Sequence, residues 1–234
     1  MKREYITISQ SPAIVFGEQS EKVFLFVHGQ HGNKEEAEAF AQKVSIKGWQ
    51  VVSIDLPEHG ERKKEQGFVP WVVVPELQEV WQYIESRWHQ VRLRANSIGA
   101  WFSMLALSDK SIEQSLFVSP LVDMEQLILT MMSWAGVSEN RLEEEGIIQT
   151  DFGQELSWAY LRYTRQYPVK SWKSPTSILY GGKDNLTERH IVEKFSSVFD
   201  CRLTVMEEGE HWFHTDEQLD YLNKWLEADL TLQD

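Results

Sequence analysis

Short apolar runs alternate along the chain with longer amphipathic stretches, and this alternation restricts the fold most strongly. The run at 23–27 has no polar position, which is typical of a strand covered on both faces. Stretches with apolar residues at every third or fourth position follow such runs, as expected for crossover helices. A crossover returns the chain to the same end of the sheet, so the strands it joins are parallel. The sequence therefore predicts an α/β protein with a mostly parallel central sheet flanked by helices.

The predicted strands form an opening hairpin at 5–8 and 13–16, followed by strands at 23–27, 51–54, 91–94, 115–118, 177–180 and 203–206. Asn33 and Pro75 are typical of helix starts, as a capping side chain and as a first helical residue. Thr215 and Gln218 have the spacing of a capping box before a final helix. We find no internal repeat, so these elements predict a single α/β domain.

The alternation stops between Leu121 and Trp172. Here the pattern predicts helices at 124–134 and about 155–165, a charged loop at 141–146, and no strand. An insertion of this length between two sheet strands is more typical of a cap lying across the sheet than of a separate domain. We therefore predict a core at 1–120 and 173–234 with a helical cap at 121–172.

Composition restricts the partners of the chain. The net charge of −13 disfavours binding to nucleic acid or to an anionic membrane. The chain lacks an apolar run of the ~20 residues that a membrane span needs, and we predict no signal peptide. The single cysteine, Cys201, fits a reducing cytoplasm, where we expect the protein to reside. No metal-binding, phosphate-loop or dinucleotide motif is present, so we predict neither a metal nor a cofactor. The oligomeric state stays open.

Ser97 lies where a predicted strand meets a predicted helix. The residues two places before and after it, Ala95 and Gly99, are small, which suits a sharp reversal in which strand and helix nearly touch. Such a turn holds the serine oxygen near the positive end of the helix, where an oxyanion can form. The alternative is that Ser97 only caps the helix. Arg92 and Arg94 in the preceding strand must find carboxylate partners or reach solvent.

Acid and imidazole side chains follow the last two predicted strands. Asp184 lies in a glycine-rich turn, where it can accept a hydrogen bond from an imidazole and fix its tautomer. Of the two histidines after the last strand we favour His211, which stands just after a glycine-containing turn, over His214, which adjoins the final helix. Ligands of open parallel sheets bind at the carboxyl ends of the strands. We therefore predict that Ser97, Asp184 and His211 act together, with Asp123 as the competing acid.

The loop at 28–32 reads His-Gly-Gln-His-Gly and follows an apolar strand. Its glycines allow a tight turn that points an amide outward, so we predict that the backbone N–H groups of Gln30 and Ile98 form an oxyanion hole. The alternative is that the glycines only make a turn. We interpret three further histidines first as structural: His28, His31 and His59.

The chain order of Ser97, Asp184 and His211 resembles that of the α/β-hydrolase superfamily. Five segments are similar to that family's motifs in register: 28–32, 55–62, 95–99, 181–184 and 208–213. Ala95 departs from the pattern, because the family usually has glycine there. The resemblance covers almost the whole chain and implies an α/β-hydrolase fold with a variable helical cap.

These observations predict a serine hydrolase that cleaves an ester or a related acyl bond of a small molecule through an acyl-enzyme. We favour a carboxylesterase acting on small or medium acyl esters, because the apolar side chains of the cap include flexible methionines. The candidate substrate contacts are His31, Met131, Trp134, Trp158 and Trp212. The alternatives are a thioesterase or a serine peptidase with the same triad, and a non-catalytic member of the fold that binds a small ligand.

Overall fold

An eight-stranded sheet forms the centre of the computed structural model, which describes residues 1–231. The strands in chain order are β1 (Arg3–Ile8), β2 (Ser11–Phe16), β3 (Lys22–Val27), β4 (Gln50–Ile54), β5 (Gln90–Asn96), β6 (Ser115–Val118), β7 (Ile147–Ile148), β8 (Leu156–Ser157), β9 (Thr176–Gly181) and β10 (Arg202–Met206). The spatial order of the sheet is β1-β2-β4-β3-β5-β6-β9-β10, with β7 and β8 in a separate hairpin. In this spatial order, all neighbouring strands from β4 onward are parallel to each other. Strand β2 pairs antiparallel with β1 and β4. The predicted mostly parallel sheet is confirmed.

Helices cover both faces of this sheet. They are α1 (Glu38–Ser45), α2 (Pro70–Glu85), α3 (Ile98–Leu107), α4 (Met124–Ala135), α5 (Glu139–Glu145), α6 (Trp158–Gln166), α7 (Arg189–Val198) and α8 (Asp216–Thr231). Strand β3 shows why its sequence is continuously apolar. Leu25 belongs to the core shared with α2, α3 and the helices that follow β6, while Phe24 belongs to the core shared with α1 and α8. A strand buried on both faces has no position for a polar side chain that lacks a partner.

Two helices begin elsewhere than predicted. Helix α2 begins at Pro70, so Pro75 lies inside it, on the exposed side, rather than at its start. Proline has no N–H, and it is tolerated best near a helix start, where the first N–H groups have no acceptor in the helix. Asn33 does cap, but its side chain accepts the N–H of Glu35 at the start of a short 3₁₀ turn that precedes α1.

The segment between β6 and β9 is helical, with two corrections. The charged stretch predicted as a loop forms α5, which Ser138 caps by accepting the Arg141 N–H and which an Arg141–Glu145 ion pair of 2.7 Å supports. The prediction of no strand is also wrong, because β7 and β8 form a hairpin. Strands of two residues are too short for a hydrophobic period to show in the sequence. The exact limits of the cap, 121–172, stay a prediction.

The arginines of β5 are buried beside aromatic rings rather than solvated. The Arg92 guanidinium lies 4.3 Å from the centre of the Trp49 ring, and its Nε is 3.8 Å from a Glu113 carboxylate oxygen. Arg94 donates to the backbone carbonyls of Ala95 and Leu116. Burial lowers the pKa of Arg94 to about 10, although nearby Glu36 acts in the opposite direction.

Candidate active site

Ser97 occupies a sharp turn between β5 and α3. Its backbone has φ 49° and ψ −124°, a conformation that a residue with a side chain adopts only when its surroundings impose it. The Ser97 N–H donates to the Val118 carbonyl at 3.0 Å, and the Ser97 carbonyl accepts the Leu121 N–H at 3.1 Å. Because both bonds tie the turn to the end of β6, the serine hydroxyl is held at the carboxyl edge of the sheet.

Small residues let strand, loop and helix meet at this turn. A Cβ at Gly99 would lie 2.3 Å from the His28 carbonyl oxygen, so only glycine fits there. A Cβ at Gly29 would lie 3.1 Å from the Ser97 Cβ, which shows how closely the 28–32 loop approaches the serine. Ala95, where the resemblance leads one to expect glycine, is fully buried in β5, and its pairing with Val27 and Phe117 is regular.

The structure brings Ser97, His211 and Asp184 into one hydrogen-bonded row. Ser97 Oγ lies 2.8 Å from His211 Nε2, and His211 Nδ1 lies 2.7 Å from Asp184 Oδ2. Asp184 Oδ1 accepts the backbone N–H groups of Leu186 and Thr187, at 2.8 and 3.0 Å. A carboxylate only accepts, so His211 Nδ1 carries the proton and Nε2 offers a lone pair to the serine hydroxyl.

The turn after β9, which carries Asp184, packs backbone to backbone against the loop after β10, which carries His211. Lys183 N–H donates to the Gly209 carbonyl at 2.8 Å. A Cβ at Gly181 would lie 2.5 Å from the Glu210 carbonyl oxygen. This contact sets the separation of the two loops and hence of the imidazole and the carboxylate. The Asp184 side chain is fully buried, and that of His211 is 15% exposed, which leaves the imidazole one accessible edge.

Asp123 and His214, the alternatives to Asp184 and His211, have other hydrogen-bond partners. The Asp123 side chain accepts the Gln126 N–H at 3.0 Å and so caps α4, and the carboxylate that His211 contacts is that of Asp184. His214 is exposed, and its Nδ1 is 2.8 Å from the Trp212 carbonyl oxygen. Of the two histidines in this loop, His211 is the one in contact with Ser97.

The amides of the 28–32 loop differ in whether they have an acceptor. The His31 N–H donates to His59 Nε2 at 2.9 Å, and His31 has a positive φ of 65°. Within residues 1–231, the Gln30 N–H has no acceptor. Ile98 is the first residue of α3, where N–H groups have no acceptor within the helix. These are the two amides that the sequence suggested for an oxyanion hole, and that role stays a prediction.

Two buried histidines, His28 within this loop and His59 beside it, hold the loop through hydrogen bonds. His28 Nδ1 lies 2.7 Å from the Gly29 carbonyl, and its Nε2 accepts the Leu56 N–H at 3.1 Å. Burial, together with the neighbouring His59, lowers the pKa of His28 to about 4, so the ring stays neutral at pH 7. His59 Nδ1 lies 2.8 Å from the Pro57 carbonyl, which leaves Nε2 as the acceptor for the 28–32 loop.

Sequence reasoning missed a buried ion pair next to these histidines. Lys34 Nζ lies 2.7 Å from Asp55 Oδ2, and both side chains are almost fully buried. Burial alone lowers the pKa of Lys34, but hydrogen bonds to Asp55 and to two glutamates outweigh it and raise that pKa. Asp55 also accepts the Lys34 and Glu61 N–H groups and so joins two loops. Because lysines are mostly exposed, the sequence held no signal for this contact.

Replacing His59 with phenylalanine is expected to lower kcat about tenfold to a hundredfold, with little change in KM. Phenylalanine keeps a ring against Phe68, which is 4.4 Å away between ring centres, but offers no acceptor to the His31 N–H. The loop that carries Gln30 is then no longer fixed. Steady-state kinetics on a p-nitrophenyl ester measure the effect.

His59→Gln is the matched control, because its side-chain amide can place an acceptor near the position of Nε2. We expect it to recover most of the lost kcat. Unchanged kcat in His59→Phe would show that the 28–32 loop holds its conformation without this bond.

The predicted substrate contacts differ in their exposure. His31 is exposed, Met131 and Trp158 are half-buried, and the Trp134 indole is 54% exposed with its ring centre 5.9 Å from that of Phe152. Trp212, next to His211 in the chain, is 74% exposed and stacks on His214 at 4.8 Å. Their roles toward a substrate stay predictions.

Among residues 1–231, no three His, Cys, Asp or Glu side chains are grouped so that they could hold a metal ion. None of the helices in this part of the chain has both the length and the apolar character needed to cross a bilayer.

Comparison with known proteins finds similarity in structure alone. No family model and no curated protein matches the sequence. Among solved structures, Est1E from Butyrivibrio proteoclasticus with bound ferulic acid superposes with a TM-score of 0.77 at 18% identity, over 98% of both chains. Alpha/beta hydrolase domain-containing protein 10 from mouse gives 0.74 at 12% identity over 100% of both.

The chain has the α/β-hydrolase fold. A thioesterase domain from the curacin biosynthetic pathway shares this fold too, with a TM-score of 0.60 at 16% identity over 97% of this chain and 99% of that one. In the α/β-hydrolase fold of this chain, Ser97, Asp184 and His211 follow β5, β9 and β10 at the same edge of the sheet. The catalytic triads of α/β-hydrolases have the same chain order, with the serine first, then the acid and then the histidine.

Proposed function

We propose that the protein is a serine hydrolase that cleaves an ester or a related acyl bond through an acyl-enzyme. The observation that carries the proposal is the row Ser97 Oγ, His211 Nε2, His211 Nδ1 and Asp184 Oδ2, with both contacts under 3 Å. A hydroxyl is a weak nucleophile until an adjacent base takes its proton, and this row supplies the base and the group that orients it.

In the first step, Ser97 Oγ attacks the substrate carbonyl carbon while its proton passes to His211 Nε2. The buried Asp184 carboxylate stabilises the imidazolium that forms. The carbonyl oxygen becomes an oxyanion, which the N–H groups of Gln30 and Ile98 stabilise. Each such donor typically contributes about 3 kcal/mol to the transition state.

In the second step, the bond to the leaving group breaks and His211 returns the proton to the departing oxygen. A water molecule then attacks the acyl-enzyme and gives its proton to His211. The carboxylic acid leaves, and Ser97 regains its hydrogen. The same base therefore serves both halves of the reaction.

We favour a carboxylesterase that acts on small or medium acyl esters, in the cytoplasm, without a cofactor. Names of structural neighbours support hydrolysis of acyl bonds, since they include an esterase from Pyrococcus furiosus and a thioesterase domain. At identities of 16–18% they do not identify the substrate. A thioesterase or serine peptidase would use the same three side chains.

Labelling with a fluorophosphonate probe tests the proposal directly. The probe is expected to form one covalent adduct, on the peptide that carries Ser97, and to stop hydrolysis. A panel of p-nitrophenyl esters, acyl-CoA thioesters and aminoacyl amides then separates esterase from thioesterase and peptidase. An unlabelled, folded protein without activity on the panel would instead support a non-catalytic ligand-binding member of the fold.

A further inference from the structure

The side chain of Asn96, the residue before Ser97, is tied to a segment far away in the chain. Asn96 Nδ2 donates to Glu36 Oε1 at 2.7 Å. Glu36 lies in the short 3₁₀ turn Lys34–Ala37, which follows the 28–32 loop after one intervening residue. This hydrogen bond therefore joins the turn that carries Ser97 to the segment that continues from the 28–32 loop.

This bond lies just beyond the end of a strand pairing. The register of β3 with β5 ends at Val27 and Ala95. Past that point the two segments stay close, since a Cβ at Gly29 would lie 3.4 Å from the Asn96 carbonyl oxygen. The bond from Asn96 to Glu36 continues the connection of the two segments past the sheet. It therefore contributes to how the loop is held against the turn before α3.

The second carboxylate oxygen of Glu36 lies against the loop itself. A Cβ at Gly32 would be 2.5 Å from Glu36 Oε2 and 2.8 Å from the His28 Cβ. A side chain at position 32 would therefore displace the carboxylate or the loop. With Oε1 bonded to Asn96 and Oε2 packed on Gly32, the Glu36 carboxylate contacts both of the segments that we propose to supply the oxyanion hole.

The charge of Glu36 determines which way the Asn96 amide points. The Asn96 Oδ1 is buried and has no hydrogen-bond partner among residues 1–231, whereas Nδ2 meets the carboxylate. The reverse orientation would place two acceptor oxygens together. Loss of water around the carboxylate raises the pKa of Glu36, and the Asn96 hydrogen bond and the positive charge of Arg94 act against that rise. Both of these contacts favour the ionised carboxylate, which is the form that accepts from Asn96.

We propose that Glu36 is a positioning residue for the hydrolysis, because through Asn96 it holds the 28–32 loop against the turn before α3. The oxyanion hole that we propose takes one N–H group from each segment, Gln30 from the loop and Ile98 from the turn. Two such donors act together only when both lie within hydrogen-bond distance of the same oxygen. Glu36 acts through the relative position of the two segments rather than by touching the substrate. The inference rests on the proposed function.

Replacing Glu36 with alanine is expected to lower kcat for a p-nitrophenyl ester about tenfold and to change KM less than about twofold, because the oxyanion forms only in the transition state. Glu36→Gln keeps an acceptor oxygen at the same reach and should recover most of the lost kcat. Glu38→Ala, which removes a carboxylate at the start of α1, is the matched control and should keep kcat. Equal kcat in Glu36→Ala and the wild type would overturn the inference and leave the serine-hydrolase proposal intact.

A transition-state analogue separates positioning from a general loss of structure. A trifluoromethyl ketone adds to Ser97 as a hemiketal whose oxyanion occupies the hole, so its inhibition constant should rise by the factor by which kcat/KM falls. Asn96→Ala should give a similar factor, and the double variant Glu36→Ala with Asn96→Ala should lose no more than either alone. An unchanged inhibition constant, or losses that multiply in the double variant, would overturn the inference.

Hydrogen–deuterium exchange separates this inference from the proposed function. Peptides that contain the 28–32 loop should exchange several-fold faster in Glu36→Ala than in the wild type and in Glu38→Ala, with Glu36→Gln close to the wild type. If the wild type hydrolyses no ester, the proposed function fails, and this comparison still decides whether Glu36 holds the loop. Equal exchange in Glu36→Ala and the wild type would overturn the inference whatever the activity.

Discussion

Replacing Ser97 with alanine is expected to lower kcat by about five to six orders of magnitude. The substitution removes the atom that attacks the carbonyl and leaves His211 with nothing to activate. Stability should change little, because the Ser97 hydroxyl makes one described hydrogen bond, to His211, and the side chain is half-buried. Alanine keeps the Cβ, so the cost of the positive φ is the same in both proteins.

Turnover of a p-nitrophenyl ester and urea unfolding measure the two effects separately. Ser108→Ala, at the far end of α3, is the control for removing a serine hydroxyl and should keep full turnover. If Ser97→Ala retains most of the activity, another group is the nucleophile. An inactive variant with much lower unfolding free energy would point to a structural role instead.

The sheet could be predicted because each strand carries its own signal. Burial on both faces requires a continuous apolar run, and the run predicted at 115–118 has the same limits in the structure. The start of a helix depends on only a few residues at its end, and the sequence offered two candidate starts for α2. Pro70 and Pro75 both suit a first turn, and only packing of the residues between them selects Pro70.

The turn around Ser97 could also be read locally, since the reversal needs small residues at fixed positions. Gly99 illustrates this, because glycine has no Cβ and so leaves room for the His28 carbonyl. Contacts between distant segments left no such signal. The Lys34–Asp55 pair, for example, joins the segment before α1 to the loop after β4, and neither segment shows this contact in its own sequence.

Asp184→Asn is expected to lower kcat by about four orders of magnitude near pH 7, with KM little changed. The asparagine oxygen can keep the hydrogen bonds from the Leu186 and Thr187 N–H groups. Its NH₂ group then faces His211 Nδ1, which has to act as an acceptor. The imidazole proton moves to Nε2, which can no longer take the proton of Ser97.

The matched control is Asp151→Asn, the same chemical change at an exposed position of the cap, which should leave kcat unaltered. A fall of less than about tenfold for Asp184→Asn would mean that another group orients His211, because loss of the tautomer alone is worth far more. Asp123 is then the acid to examine, since it follows β6 at the same edge of the sheet. The two carboxylates differ in burial, because Asp184 is enclosed by its own turn while Asp123 is exposed. We assign the acid to Asp184 because its carboxylate lies 2.7 Å from His211 Nδ1 and is fully buried. At a buried site the attraction between a carboxylate and an imidazolium is less screened than at an exposed one.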